Sequence, residues 1–473
     1  MRRPRRAWPL LLVLAVAEAA CSFPDRTPTP NLAPAGASRV WTTNTPFRPL
    51  APTATAAQTA TLMPTREWLA PNSLGNATPA ATQLPGPVDP FPFASDAVNI
   101  LLIGSDTRTG TSYRTDTLIV LSIDPGAGAA ALLSIPRDLY VYLPGYGMQR
   151  INAALMLGDA YGYPGAGQGM LADTLLYNLG IRVDHFALVE MSGFQEIIDE
   201  LGGVEVDVSC PYTDFRLRRP DLSPDEEDNW ALFTVPAGVV QMDGNYALWY
   251  ARARHRSSDF DRARRQQEVL RAIYDQVLSL GLIPRLPSLY DDLTDMVSTD
   301  LTLRDLLDLA LLAPRLDPAQ IRSRFIGRDQ VIPWRVPGSG AQVLLPNPPA
   351  LRALLEEAFR FDAPDPLVPR TFQTIEVVNL SSHQDWDHLA ASRLSYAGYQ
   401  THLASADAVH GAPTQLVDHG LATEGDRQQL LALLGLGSAA LAAENDPTSP
   451  FLFTLRLGDD YQPCFDPTRN QGN

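Results

Sequence analysis

Val98-Asn99-Ile100-Leu101-Leu102-Ile103-Gly104-Ser105-Asp106-Thr107-Arg108 is the stretch whose reading decides the fold. An apolar run too short for a typical helix ends at a glycine, and the chain then turns polar, so it reads as a buried strand that delivers its polar end to a loop. A second run, Thr117-Leu118-Ile119-Val120-Leu121-Ser122-Ile123, closes on the turn Asp124-Pro125-Gly126, and a third, Ala130-Ala131-Leu132-Leu133-Ser134-Ile135, stops at Pro136. Helical patterns follow at 152–161 and 169–179. A strand at 186–191, a helix at 193–201, a strand at 204–208 behind Gly202-Gly203, and a longer helix at 262–280 complete this region. Buried strands interleaved with helices predict an α/β domain, an α-β-α sandwich with a mixed central sheet.

Working outward, residues 1–21 read as an export segment. Arg2, Arg3, Arg5 and Arg6 precede an apolar stretch from Trp8 to Ala17, and Ala19-Ala20 stand before Cys21. The stretch falls short of the roughly 20 apolar residues that span a bilayer. A cysteine after Ala-Ala resembles a lipoprotein cleavage site, with Cys21 as the lipidated residue, although Glu18 stands where that pattern has an aliphatic side chain. Residues 22–96 are rich in Pro, Thr and Ala without apolar periodicity, which predicts a disordered spacer. The sandwich domain with a helical extension is expected over 97–345, and a Pro-rich linker over 346–370. A small C-terminal α/β module of β-α-β type is expected over 371–462, opening on Thr374-Ile375-Glu376-Val377-Val378-Asn379-Leu380, with a tail at 463–473.

The 473 residues, 45% hydrophobic, allow two or three domains with sizeable cores. A net charge of −16 argues against nucleic-acid binding, which needs a basic face. Lysine is absent, so every basic residue is an arginine and only placement is informative. Cys210 and Cys464, the even pair left beside Cys21, permit one disulfide in an oxidising compartment. The acidic run 225–228 reads as a solvated loop between Tyr212 and Trp230, and His185 as structural.

Arginines and aspartates recur together in four short motifs: Gly104-Ser105-Asp106-Thr107-Arg108; Arg114-Thr115-Asp116-Thr117; Ser134-Ile135-Pro136-Arg137-Asp138; and Arg252-Ala253-Arg254 with Asp259-Phe260-Asp261-Arg262 and Arg265-Gln266-Gln267. Guanidinium forks match phosphate oxygens, and paired carboxylates suit a hard divalent cation. Two of these motifs directly follow predicted strands, where open sheets bind ligands. A substrate bearing a pyrophosphate fits both features. Arg252 and Arg254 reach the same side if that segment is extended and diverge if it is helical. No P-loop, Rossmann glycine pattern or metalloprotease helix occurs.

From about Val98 to Arg271 the chain resembles the LytR-CpsA-Psr family of bacterial envelope proteins. The resemblance rests on those motifs together with Arg150-Ile151-Asn152-Ala153-Ala154, Asp199-Glu200-Leu201-Gly202-Gly203-Val204-Glu205-Val206 and the segment from Met242 to Arg254. Asp261 departs from the glycine usual in the family. The module after Thr371 resembles the family's C-terminal domain through its Val377-Val378-Asn379 strand and closing Leu457-Gly458-Asp459-Asp460-Tyr461.

The resemblance implies an extracytoplasmic phosphotransferase, anchored at the outer face of the cytoplasmic membrane through its N-terminus. Such an enzyme moves a glycan from a polyprenyl-pyrophosphate carrier to peptidoglycan or a surface-protein acceptor. By correspondence, Asp106 and Asp116 hold Mg²⁺ (or Mn²⁺), and Arg108, Arg114, Arg137, Arg252, Arg254, Arg262, Arg265 and Gln266 bind the pyrophosphate. Arg137, Arg252, Arg254, Asp259 and Arg262 are the expected catalytic residues. The general base stays open among Asp106, Asp116, Asp138 and Asp259. Leu155, Leu175, Phe186, Leu188, Phe194 and Ile198 are candidates for a lipid pocket or for ordinary core. A pyrophosphatase using the same residues, and a non-catalytic wall-binding or regulatory protein, are the competing readings.

Overall fold

The three apolar runs are the centre of a sheet. A computed structural model describes residues 84–107, 113–254, 259–316, 320–361, 374–406, 411–446 and 448–464. The export segment with Cys21, nearly all of the spacer, and Arg108 lie outside the described residues.

The chain runs through β1 (Val98–Thr107), β2 (Tyr113–Asp124) and β3 (Ala129–Ser134), then the hairpin β4 (Tyr140–Leu143) and β5 (Gly147–Arg150). Helices α1 (Ala154–Ala160) and α2 (Ala166–Leu179) lead to β6 (His185–Glu190), α3 (Met191–Glu200), β7 (Val204–Val208), β8 (Tyr212–Leu217), β9 (Trp230–Val235) and β10 (Gly238–Met242). Next come α4 (Gly244–Arg252), α5 (Asp259–Ser279), α6 (Leu286–Met296), β11 (Val297–Thr299), α7 (Leu303–Leu312), β12 (Ile321–Phe325), β13 (Val331–Arg335), β14 (Gln342–Pro346) and α8 (Pro348–Phe359). Among the described residues the main sheet has the order β11-β6-β1-β2-β3-β12. Strands β6 and β1 are parallel, as are β3 and β12, and the other neighbours are antiparallel, so the sheet is mixed.

Alternation along the strands sends side chains to two layers. Leu101, Ile103, Leu118, Val120, Ala131 and Leu133 pack against α1, α2 and α8 in a closed core. The intervening residues Leu102, Leu121, Ile123, Ala130 and Leu132 face the α5 side, where they line a cavity of about 440 Å³. Beyond it, α3, α4 and α5 build a second core with β7, β8, β9 and β10 around Ile198, Val206, Tyr250 and Val269. This is the expected α-β-α sandwich. Among the described residues no helix is long and apolar enough to cross a membrane.

The structure redraws two boundaries. Residues 85–93 are no spacer: Phe91 N donates to Gly180 O, Tyr177 Oη donates to Pro85 O, and Phe91 is buried against Phe93 and Phe359. The expected linker contains α8, whose Leu351, Leu354, Leu355 and Ala358 are buried. They recur at the i, i+3, i+4, i+7 spacing of one helix face, and Pro348-Pro349 occupy the first turn, where a missing N–H costs nothing. The stretch after Tyr212 is a hairpin, β8 with β9, and the acidic run sits in its connection.

The C-terminal module consists of β15 (Thr374–Asn379), α9 (Trp386–Tyr396), β16 (Gln400–Ala404), β17 (Gln415–Asp418), α10 (Glu424–Leu434), β18 (Leu441–Ala443) and β19 (Phe453–Leu457). Its sheet order is β16-β15-β19-β17-β18, and the parallel β15-α9-β16 unit is the β-α-β element expected there. The module reaches past 462, because the structure joins Cys210 in the β7–β8 turn to Cys464 by a disulfide. Two further links seat it on the first domain. The Asp385 carboxylate accepts from Val239 N at 3.3 Å and approaches Gly238, where φ is +136° and a Cβ would stand 3.1 Å from that carboxylate. The Ser392 hydroxyl lies near the Asp207 carboxyl, close enough to favour its charged form.

Burial pushes Asp207 up to about 6, with the charges of Asp275 and Glu268 adding to it and Ser392 and His388 opposing. Between about pH 4, where the unfolded chain's Asp ionises, and about 6, the folded chain holds more protons, so this carboxyl weakens folding progressively as pH rises through that window. Asp207→Asn, which keeps an acceptor for Ser392, is expected to raise the melting temperature at about pH 7.5. The gain should correspond to no more than about 3 kcal/mol and shrink toward zero near pH 4, as scanning calorimetry across that range would show.

Candidate active site

Two strand ends and a helix start converge to make the site. The β1–β2 register slips between Gly104 and Ser105, pairing Gly104 with Thr117 and Ser105 with Thr115, which leaves Asp116 opposite no residue of β1. Such a bulge bends a strand and re-aims the extra side chain. A Cβ on Gly104 would lie 3.0 Å from Thr117 Cβ, so glycine permits this close pairing. Pro136 ends β3 because it has no N–H for the ladder. The loop it begins is fixed by Asn152 N donating to Arg137 O and by Ile135 N donating to Leu118 O.

Arg137 Nη1 donates to Asp116 Oδ1 at 2.7 Å. Asp138 lies on its other side, 3.7 Å from Nε, and is also ion-paired with Arg150, whose Nε is 3.1 Å away. Burial alone would lower the Arg137 pKa, but the hydrogen bond and charge of Asp116, with Asp138 and Asp259, raise it above the ordinary arginine value. Arg137 Nε is itself buried and has no hydrogen-bond partner among the described residues.

Asp259 opens α5, and Arg262, one turn later and 6% exposed, pairs with it at 3.1 Å. Burial lowers the Arg262 pKa, yet the group stays charged at any physiological pH. Arg137, Asp116 and Asp138 lie within its electrostatic reach, so the three motifs meet in one cluster. Two guanidinium groups held together by carboxylates can exchange those partners for phosphate oxygens with little loss of pairing.

The remaining predicted residues divide. Arg252 ends α4, the backbone turns extended at buried Ala253, and both Arg252 and Arg254 are exposed on either side of it. Gln266 donates to Thr117 Oγ1 at 2.8 Å and to Ala251 O at 3.3 Å, tying α5 to both β2 and α4. In the register, Asp106 sits opposite Arg114 at the open end of the β1–β2 pair.

Arg265 is a correction. It is 1% exposed, with Nε donating to Tyr250 O at 2.8 Å, Nη2 donating to Ala253 O, and the guanidinium 3.9 Å from the Tyr212 ring centre. Its donors serve the end of α4, so it braces the Arg252–Arg254 segment and does not face a ligand.

Beside the cluster lies an apolar cavity of about 170 Å³ lined by Leu102, Ile119, Ala187, Val189, Phe194, Leu248 and Leu270, with Asp116, Arg252, Gln266 and Glu190 among its polar lining. It shares Leu102 and Leu270 with the larger cavity. Of the six expected pocket residues only Phe194 lines either cavity. Leu155 and Leu175 are buried in the closed core, Phe186 and Leu188 pack against it, and Ile198 belongs to the second core. On β6 the expectation took the wrong face, since Ala187 and Val189, one residue along, reach the cavity. Glu190, Thr117 and Arg150 were missed; Glu190 was detectable as the polar residue ending an apolar strand.

Among the described residues no group of three or more His, Cys, Asp or Glu is arranged to hold a metal ion. Mg²⁺ requires fewer, because it keeps waters and shares phosphate oxygens with its substrate. Asp116 uses Oδ1 for Arg137, and among the described residues no hydrogen bond engages its Oδ2. The Oδ2 of Asp116 is therefore a donor of the kind such an ion takes.

A mixed sheet with cavity-facing leucines and an arginine–aspartate cluster at its strand ends defines an α/β sandwich with a charged site beside an apolar cavity. Residues 76–334, more than half of the chain, match the LytR_cpsA_psr family, and the chain belongs to that family. Over 216 residues it is 35% identical to a polyisoprenyl-teichoic acid–peptidoglycan teichoic acid transferase, TagU, of Oceanobacillus iheyensis, covering 45% of this chain and 62% of that one. Over 201 residues it is 36% identical to a probable cell wall biosynthesis protein, LcpB, of Corynebacterium glutamicum, covering 39% of this chain and 43% of the relative. The chain thus spans less than two thirds of the length of these curated relatives. A crystal structure of B. subtilis TagV aligns with a TM-score of 0.46 at 25% identity, covering 57% of this chain and 99% of that one.

Arg265→Gln is expected to cost about 2–4 kcal/mol, since two buried carbonyls lose their donor. Exposed Arg254→Gln should stay within about 0.5 kcal/mol of the wild type. Urea unfolding of both variants measures the difference.

Proposed function

We propose that the protein transfers a glycopolymer from a polyprenyl-pyrophosphate carrier to peptidoglycan or another surface acceptor, leaving a phosphodiester. The observation that carries this reading is the juxtaposition of a charged cluster, Arg137, Asp116, Asp138, Asp259 and Arg262, with a cavity lined by leucines. One site thereby offers a pyrophosphate clamp and a place for hydrocarbon. The TagU relative is named for transfer of this type.

Phosphoryl transfer depends on alignment and charge neutralisation more than on covalent work by the protein. Arg137 and Arg262 would release their carboxylate partners to the two phosphates, while Arg252 and Arg254 close over them from the rim. The acceptor hydroxyl oxygen bonds to the sugar-proximal phosphorus as the bond from that phosphorus to the bridging oxygen breaks. Polyprenyl phosphate leaves, and the hydroxyl proton passes to a carboxylate of the cluster. Mg²⁺ (or Mn²⁺) bound by Asp106 and Asp116 would neutralise charge on the pyrophosphate. Gln266 holds Thr117 and the end of α4 in place and so keeps the rim arginines over the site. We assign residues 374–464 to a C-terminal domain of the LytR type. Export by residues 1–21, with anchoring at the outer face of the membrane through lipidated Cys21, would place the site where its acceptor lies.

The test uses the full chain with polyprenyl-pyrophosphoryl oligosaccharide and Mg²⁺, with and without peptidoglycan fragments. Arg137→Gln is expected to slow polyprenyl phosphate release by about 100-fold or more. In the wild type the sugar should appear joined to the fragment through phosphate. Release only to water identifies a pyrophosphatase, and no release with the carrier still bound identifies a binding protein.

A further inference from the structure

Helix α9 belongs to the C-terminal module but has a face in each domain. Leu389, Ala390 and Leu394 are buried, the last two in the core of their own module. His388, Ala391, Ser392 and Ser395 follow the i, i+3, i+4, i+7 spacing of a single helix face, and all four line the cavity of about 440 Å³ in the first domain. This face carries no large apolar side chain, so nothing from α9 fills the space in front of it.

Two features identify what the space is for. The cavity adjoins the smaller one beside Asp116 and Arg252, and Leu102 and Leu270 line both. A chain whose pyrophosphate sits on the arginines and whose hydrocarbon enters the smaller cavity is directed past these two leucines toward α9. The character of the walls then changes, as Asp207, with Glu268, Asp275, His388 and Ser392 around it, lies against α9, and Glu205 and Arg271 add to the polar lining. Hydrocarbon pressed against carboxylates strips their water without replacing it, at a cost of several kcal/mol, so the chemistry as well as the helix stops an incoming chain. The helix cannot easily yield, since the Cys210–Cys464 disulfide and the Asp385 contact with Val239 N hold its module to the first domain.

The geometry points to α9 as the end wall of the lipid cavity, and to the C-terminal module as the gauge that sets how long a polyprenyl tail the protein accepts. It rests on the transferase reading only in taking the occupant to be a polyprenyl chain. Binding, which needs no turnover, is the test. Full-length protein is titrated calorimetrically with farnesyl phosphate and with undecaprenyl phosphate, for the wild type, Ala391→Trp and Ser395→Phe. The expected result is that each substitution weakens undecaprenyl phosphate binding about 10-fold or more while farnesyl phosphate binding changes by less than about 2-fold, a difference near 1 kcal/mol or above. Two variants from successive turns guard against a folding defect, which would weaken both ligands together. Equal loss for both ligands, no loss for either, or no binding of either ligand by the wild type overturns the proposal. Length-selective binding without any glycan transfer would leave the gauge standing and remove the transferase.

Discussion

A single buried guanidinium underlies the geometry of the site. Arg265 joins the carbonyls of Tyr250 and Ala253, across the turn where α4 ends and before α5 begins, and stacks over Tyr212 from the β8–β9 hairpin. Three elements, α4, α5 and β8, are thus referred to one charged group. Because α5 also carries Asp259, Arg262 and Gln266, the position of Arg265 fixes how the rim arginines stand relative to the cluster beneath them. A buried charge held this way tolerates no neutral substitute of the same shape, since its carbonyl partners would be left without donors.

The sheet shows how far a sequence can be read and where its information runs out. Strands β1, β2 and β3 were legible as continuous apolar runs, because strands covered on both faces need not alternate. That same continuity hid which residues face which layer. Phe186 and Leu188 look like better lipid contacts than Ala187 and Val189, yet the larger pair fills the closed core and the smaller pair borders the cavity. Small side chains leave space, which is what a cavity needs. The arginine motifs were legible as a group, but nothing local distinguishes Arg262 from Arg265, three residues apart on one helix. Their roles separate only when the end of α4 arrives beside one of them, a tertiary event. Helix α8 was readable in principle from Leu351, Leu354, Leu355 and Ala358, and was obscured by two prolines that in fact suit a helix start.

The C-terminal module complicates the usual picture of a catalytic domain followed by an accessory one. Its strand order and β-α-β unit make it a compact piece with its own core. Even so, α9 completes a surface of the first domain, and Asp207, a residue of the first domain, has its proton affinity set partly by Ser392 and His388 of the second. The two pieces share an electrostatic environment as well as a covalent bond.

The unequal packing of the sheet has a practical consequence. One face packs into a closed core, while the other borders a space of about 440 Å³ whose walls run from leucines to the carboxyl groups near α9. Any amphiphile with a slender tail is a competitor for that space. Detergent used to extract or purify the protein therefore becomes a ligand in its own right, and the preparation's apparent heat resistance will reflect the alkyl chain of the surfactant chosen.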